Sequence, residues 1–297
     1  MNLHRAAWLQ LTWIAAGAVA LALLYASYAH ANIFGKDDRR LLTDADKLSA
    51  VGLIVCKDTT RRPTAALVAP HGSRRRDIII TVAHAFLSRD DKRLAPCEFW
   101  PGGRDDDATP IAFTLLGTAR PDDAWNEDWA VAMLVRNAPQ KYQPLEPLVM
   151  RPEEADALRE DGAKFLLAGH NGEIGPLMVS EHCGPMRKVN ADINRFDARA
   201  FNHDCDMMPG WSGGPLMIEI NGQPFVIAVN ATELNALVTQ VGETYSGIYN
   251  ANTAVRIDGP FFDAILHLAR NGYPERPFAG KSTCVVWMPD PIEPKRC

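Results

Sequence analysis

The sequence has no surplus of positive charge. Over 297 residues, 31 Lys and Arg face 36 Asp and Glu, a formal net charge of −5. Without basic side chains to displace phosphate counterions, a general nucleic-acid binder is excluded and no nucleic acid is expected as a partner. There is no Cys-x-x-Cys pair, so a structural zinc site has no support and neither a metal nor a cofactor is expected. Internal repeats and low-complexity tracts are also missing, which argues against a repeat architecture. Gly and Pro, at 21 each, fall far short of a collagen or linker composition and suit a loop-rich β protein. What remains is an ordinary globular chain, 47% apolar and 23% charged, long enough for one large domain or two modest ones.

Charge is scarcest at the start. Arg5 is the only Lys, Arg, Asp or Glu before Lys36, and Ala6 to Tyr28 is apolar except for mild breaks such as Gln10, Thr12 and Ser27. The run ends at Ala29-His30-Ala31, a small-x-small pattern that a signal peptidase accepts. Residues 1–31 are therefore expected to be a secretory signal, with Asn32 as the mature start and residues 32–47 as an N-terminal extension. The same run is long enough to span a bilayer, so an uncleaved anchor is the alternative, and membrane association is expected only in that case. All six cysteines (Cys56, Cys97, Cys183, Cys205, Cys284 and Cys297) lie beyond it. An even count in an exported chain, periplasmic or secreted, favours disulfides over free thiols.

After a polar stretch at Gly35–Arg40, expected to be extended at the surface, short apolar runs recur between turn residues. Val51–Cys56, Ala65–Val68, Ile78–Val82, Ile111–Leu116 and Trp129–Val135 form one group. Lys164–Ala168, Leu177–Val179, Leu216–Ile220, Phe225–Val229, Ser246–Tyr249 and Thr253–Ile257 form another. Many are β-branched and all are too short for helices, so strands are expected, with Asn221-Gly222 as a tight hairpin. Prolines at 139, 144, 147 and 152 punctuate the segment between the groups, which reads as a connection between two β units. Near the end, Asp258-Gly-Pro followed by Phe261, Phe262, Ile265, Leu266 and Leu268 predicts a helix stopped at Asn271-Gly272.

The chemistry concentrates in Asp204-Cys-Asp-Met-Met-Pro-Gly-Trp-Ser-Gly-Gly-Pro-Leu216. A serine among glycines suits a nucleophile, because the chain can turn sharply and aim the Gly210 and Ser212 amides at a developing oxyanion. Serine needs a base, and the base needs an orienting acid. Ile78-Ile-Ile-Thr-Val-Ala-His84 runs a buried strand into a histidine, and Asp128-Trp-Ala-Val131 places an acid at the head of another. Asp122 and Asp123 compete with Asp128, but neither heads an apolar strand. His203, Asp204, Cys205 and Asp206 superficially resemble metal ligands, yet an extended chain sends alternate residues to opposite faces.

These boxes resemble those of the chymotrypsin-like serine peptidases. Thr81-Val-Ala-His84 is similar to the family's Thr-Ala-Ala-His, Asp128-Trp-Ala-Val131 to its acid-bearing strand, and Gly210-Trp-Ser212-Gly-Gly-Pro to its serine loop. The order His, Asp, Ser also matches, and the likeness covers roughly residues 45–272. His203-Asp-Cys-Asp-Met-Met-Pro-Gly and Asn252-Thr-Ala-Val-Arg-Ile257 lean toward the bacterial branch that includes glutamyl endopeptidases. Three departures stand out: Ala85 and Met208 replace cysteines, and Trp211 replaces an acid that pairs with a freed N-terminal amine in many family zymogens.

The resemblance implies an all-β fold of two packed antiparallel six-stranded β-barrels with a short C-terminal helix. The first barrel is expected over 48–145, the second over 146–272, and a tail over 273–297. It implies a serine endopeptidase acting on protein or peptide substrates, with His84, Asp128 and Ser212 as the triad and Gly210 and Ser212 as the oxyanion hole. Asp206 would sit at the base of the specificity pocket and favour Arg or Lys, with the loop-amide role as its alternative. Asn230 would line the pocket wall, where glutamyl peptidases carry a histidine. The expected disulfides are Cys56–Cys97, Cys183–Cys205 and, as the leftover pair, Cys284–Cys297. Two other readings remain: an idle peptidase-fold binding module, and an α/β-hydrolase esterase using Ser212, which would need a helix directly after the serine.

Overall fold

The computed structural model describes residues 33–272 apart from 35, 58, 89, 123, 172–174, 187–197 and 233–250, together with 286–289. The expected signal segment, Asp123, the strand expected at Ser246–Tyr249 and the Cys284–Cys297 pair lie outside the described residues. No helix among the described residues is long and apolar enough to cross a membrane.

In chain order the strands are β1 (Arg40–Leu41), β2 (Val51–Cys56), β3 (Thr64–Leu67), β4 (Ile78–Thr81), β5 (Cys97–Pro101), β6 (Thr109–Leu116), β7 (Ala130–Leu134) and β8 (Glu146–Pro147). Helix α1 (Pro152–Glu160) follows, then β9 (Phe165–His170), β10 (Leu177–Cys183), β11 (Ala200–His203), β12 (Pro215–Ile220), β13 (Gln223–Thr232) and β14 (Asn252–Arg256). Helix α2 (Gly259–Asn271) and β15 (Val286–Pro289) complete the order.

Strands β2, β3, β4, β7, β6 and β5 pair antiparallel in that sequence, and β5 returns to β2, closing a six-stranded barrel. A second antiparallel sheet runs β10, β9, β12, β13, β14, β11, and a single bridge between Pro185 and His203 joins its ends. Two of these ring strands lie outside the expected apolar runs. β5 reads Cys-Glu-Phe-Trp-Pro with alternate residues buried, and β11 reads Ala-Phe-Asn-His with all four buried. Asn221 and Gly222, both at positive φ (52° and 72°), turn β12 into β13 where the hairpin was expected.

The expected C-terminal helix is α2, with a proline in its first turn. Its Phe261, Ile265 and Leu268 join the first barrel's core, and Phe261 stacks on Trp129 with ring centroids 4.8 Å apart. A fully buried aromatic pair of this kind contributes about 1 kcal/mol beyond its area. Helix α1 was not anticipated, because Ala155 is its only buried residue and no apolar stripe marks it. Its signals are a proline in the first turn, Glu153 and Glu154 there, and Arg159 in the last turn.

The polar stretch before Leu41 is not simply a surface segment. β1 pairs with β10, and Arg40 binds both Asp46 and Glu181, so this arm is stitched to the second barrel. β15 pairs antiparallel with β6, Val286 opposite Leu116. Cys56–Cys97 and Cys183–Cys205 are bonded as expected. The α/β-hydrolase alternative falls here: no parallel sheet covered by helices is present among the described residues, and strand β12 follows Ser212 closely where an elbow helix was needed.

Candidate active site

β4 and β7 pair with Thr81 opposite Ala130. That register decides the first part of the site, because His84 lies just past the end of β4 and Asp128 just before the start of β7. A short 3-10 turn over Ala83–Phe86 buries Ala83, Ala85 and Phe86 and leaves the His84 side chain 27% exposed. Asp128 is itself buried and is followed in the chain by the fully buried Trp129. The turn before it is held by Glu127, which shares Arg199 with Asp258 at the start of α2 (2.7 and 2.8 Å).

Both Asp128 oxygens engage His84. Oδ2 lies 2.6 Å from Nδ1, and Oδ1 accepts the His84 backbone N–H at 3.0 Å. A carboxylate at Nδ1 selects the tautomer with its proton there, so Nε2 carries a lone pair. Burial works to lower the His84 pKa, but the charge and hydrogen bond of Asp128 outweigh it, and Asp122 adds to them. The nearby Arg61 charge opposes; the net effect holds His84 above its ordinary value.

The second part is a backbone turn over residues 208–214. Trp211 N–H donates to Met208 (3.1 Å), Gly213 N–H to Asn230 (2.6 Å) and Gly214 N–H to Trp211 (2.9 Å), each to a carbonyl. Among the described residues the Gly210 and Ser212 amides donate to nothing. Gly213 has φ +83°, and a Cβ there would stand 2.0 Å from Thr81 Oγ1 and 2.1 Å from the Thr64 carbonyl. Only glycine lets the turn pass this close to the first barrel. No hydrogen bond joins Ser212 Oγ to His84 Nε2; the turn reaches the histidine's strand through Thr64, whose N–H donates to the Ser212 carbonyl (2.8 Å) and whose carbonyl accepts Thr81 Oγ1–H (2.7 Å).

Asp206 does not offer a free carboxylate to a pocket. It is 2% exposed, and its oxygens accept the Phe34 N–H (2.6 Å) and the Asp38 N–H (2.9 Å). The loop-amide role therefore replaces the expected Arg/Lys-selecting one. Burial pushes the pKa of Asp206 up against those two amides. It pushes Asp38 up as well, to about 6, helped by the neighbouring Asp206 charge. Asn230 is fully buried: its Oδ1 lies 3.1 Å from His203 Nε2 and its Nδ2 donates to the Trp211 carbonyl at 3.1 Å. Burial lowers the His203 pKa to about 4, so the ring is neutral.

The His203–Asp206 run does not converge on a metal. His203 turns to Asn230, Asp204 to Arg159 and the Gly184 amide, Cys205 to Cys183, and Asp206 to the arm. No group of His, Cys, Asp and Glu able to hold a metal occurs among the described residues. A cavity of about 850 Å³ lined by Leu41, Lys47, Tyr142, Leu177 and Pro224, among others, contains none of the expected site residues. Thr64 is the site feature that the sequence reading missed, and nothing in Arg61-Arg-Pro-Thr-Ala-Ala-Leu67 marks it out.

No family model matches the chain, and no curated protein matches it. Solved structures do. A Glu endopeptidase in complex with MPD superposes with a TM-score of 0.59 at 14% identity, covering 80% of this chain and 99% of that one. A thermostable serine protease, AL20, from an extremophilic microorganism gives 0.54 at 13% identity, covering 77% of this chain and 100% of that one. Protease Anisep from Arthrobacter nicotinovorans gives 0.50 at 12%, covering 78% and 98%. At these identities the likeness carries the fold: the chain has the trypsin-like two-barrel architecture that the motifs implied.

Proposed function

We propose that this protein is a serine endopeptidase with Ser212 as nucleophile, His84 as general base and acid, and Asp128 as the group that orients the imidazole. The observation that carries this reading is the grip of Asp128 on His84 through both Nδ1 and the backbone amide, which leaves Nε2 as the acceptor. In the first half-reaction Ser212 Oγ attacks the scissile carbonyl while its proton passes to His84 Nε2. The tetrahedral intermediate then collapses, His84 returns the proton to the departing amine, and an acyl-enzyme remains. Water repeats the sequence and releases the acid. The undonated Gly210 and Ser212 amides are suited to the oxyanion, at roughly 3–4 kcal/mol for each donor.

The division of the chain near 145 gives His84 and Asp128 to one barrel and Ser212 to the other, so substrate would lie between them. Preference for Arg or Lys drops out of the reading, since Asp206 is spent on the arm. Export is part of the proposal: two disulfides among the described residues suit an oxidising compartment, reached through the segment 1–31 read as a signal.

The test combines a fluorophosphonate probe with cleavage of a peptide library. Wild-type protein should take one label per chain, on Ser212, and should cut peptides; Ser212→Ala should do neither while remaining folded. A folded wild-type protein that neither labels nor cleaves would show the binding-module reading to be the right one.

A further inference from the structure

We infer that Thr64, on the first barrel, is a positioning residue for the serine turn of the second: its hydroxyl and N–H hold the carbonyls of Gly210 and Ser212 and so fix the place of the turn that carries those two residues' free amides. The inference rests on the reading of Ser212 as nucleophile. Thr64 is fully buried at the start of β3, and every polar group it owns is used. Its N–H donates to the Ser212 carbonyl at 2.8 Å, and its Oγ1–H donates to the Gly210 carbonyl at 2.7 Å. The same Oγ1 accepts the His170 N–H from the end of β9 at 2.9 Å, and the Thr64 carbonyl accepts Thr81 Oγ1–H at 2.7 Å.

Peptide planarity turns these contacts into a direction for the free amides. A C=O and the next N–H share one rigid plane and point opposite ways. The plane joining Gly210 to Trp211 is held at both ends, by Thr64 Oγ1 and by Met208. The plane joining Ser212 to Gly213 is held by Thr64 N–H and by Asn230. Between them, the Trp211 carbonyl accepts from Gly214 N–H and Asn230 Nδ2, which sends the Ser212 N–H to the other side. The plane carrying the Gly210 N–H has no such hold of its own. Gly210 sits at φ +102°, a conformation that glycine adopts readily, and the peptide plane that follows it is anchored by the Thr64 hydroxyl, so losing that anchor gives the Gly210 amide more room to turn away.

The hydroxyl also joins two barrels at one atom. It receives an amide from β9 and gives its proton to the turn, so the turn's position follows the packing of β3 against β9. A valine of the same shape would fill the space and remove the hydrogen bonds that the hydroxyl makes to the Gly210 carbonyl and from the His170 N–H. The expected consequence is a turn that still binds substrate but presents one oxyanion donor out of line, which lowers kcat and spares KM.

The experiment compares Thr64→Val, Thr64→Ser and wild type in steady-state peptide hydrolysis and in the rate of fluorophosphonate labelling. Thr114→Val serves as control, since that threonine is equally buried and its hydroxyl has no partner. Thr64→Val should lose about tenfold or more in kcat with KM within about twofold, less than the 10²–10³ of deleting a donor outright, and labelling should slow in parallel. Thr64→Ser should restore most of the rate, and Thr114→Val should match wild type. Should Thr64→Val fail to fold, Thr64→Ala removes the same hydroxyl and is read the same way. A folded hydroxyl-less variant with wild-type kcat would overturn the inference, as would Thr64→Ser losing as much as Thr64→Val. Inactive, unlabelled wild type would overturn the peptidase reading and this inference with it; active wild type with an indifferent Thr64→Val would overturn this inference alone.

Discussion

In the first barrel β6 pairs with both β5 and β7, so ladders close the ring throughout. In the second the ring's ends meet in one bridge, Pro185 to His203, and the Cys183–Cys205 disulfide spans the same seam. Their buried polar groups differ as well. The first barrel buries mostly threonines beside Asp77 and Asp128, whereas the second buries Asn202, Asn230, Asn252, His170, His203 and Asp206. The contrast follows from what each must deliver. A histidine and an aspartate at the ends of two paired strands need only the correct register. A backbone turn with free amides needs partners for its other peptide groups, and these include the buried Asn230 side chain, itself braced by the His203 imidazole, and a threonine lent by the other barrel.

The largest expected effect tests the first barrel's contribution. Asp128→Asn should lower kcat by about 10⁴-fold through the wrong histidine tautomer, with the urea midpoint little changed. Retention of wild-type kcat would show that register alone does not make the catalytic pair. Next come the two cross-links. Removing Cys56–Cys97, separated by 41 residues, should cost about 4 kcal/mol, and removing Cys183–Cys205, separated by 22, about 3 kcal/mol by loop closure. The smaller loss should nevertheless bring the larger fall in kcat, because that bond braces the segment leading into Ser212. Equal falls in kcat would erase the distinction between the barrels.

The two site histidines give the comparison a sign. His203 is buried and neutral with its pKa lowered to about 4, so between pH 6.5 and 4 the unfolded chain binds its proton and the folded chain does not. Stability should fall on acidification through that window by at most about 3 kcal/mol, and His203→Gln should flatten the profile in urea titrations. His84 runs the other way: its raised pKa adds stability below the ordinary imidazole value, and this is lost as pH rises through the folded pKa. Activity should rise over that same interval, as Nε2 becomes an acceptor. The smallest effect is Asp122→Asn. Asp122 is exposed and raises the His84 pKa only through space, so kcat should change less than about twofold and the acidic limb should move slightly down.

Local pattern was enough for the parts that neighbours in sequence decide. The β4 strand running into His84, the acid heading β7, the Asn221-Gly222 hairpin and the proline-started α2 are each contained in a few consecutive residues, and hydrophobic period or turn chemistry marks them. Helix α1 escaped because it buries a single alanine, and β11 because its inward residues include Asn202 and His203.

Composition and motif order determined that the chain is an all-β protein with a histidine, an aspartate and a glycine-flanked serine set at the edges of its strands. Tertiary structure alone decided what each polar side chain is for. Asp206 answers amides 172 and 168 residues away, and Thr64 answers a carbonyl 146 residues away. Hydrophobic periodicity records which face of a strand turns inward, but a hydrogen bond is satisfied by whichever donor or acceptor the packing brings within about 3 Å, and packing is a property of the whole chain.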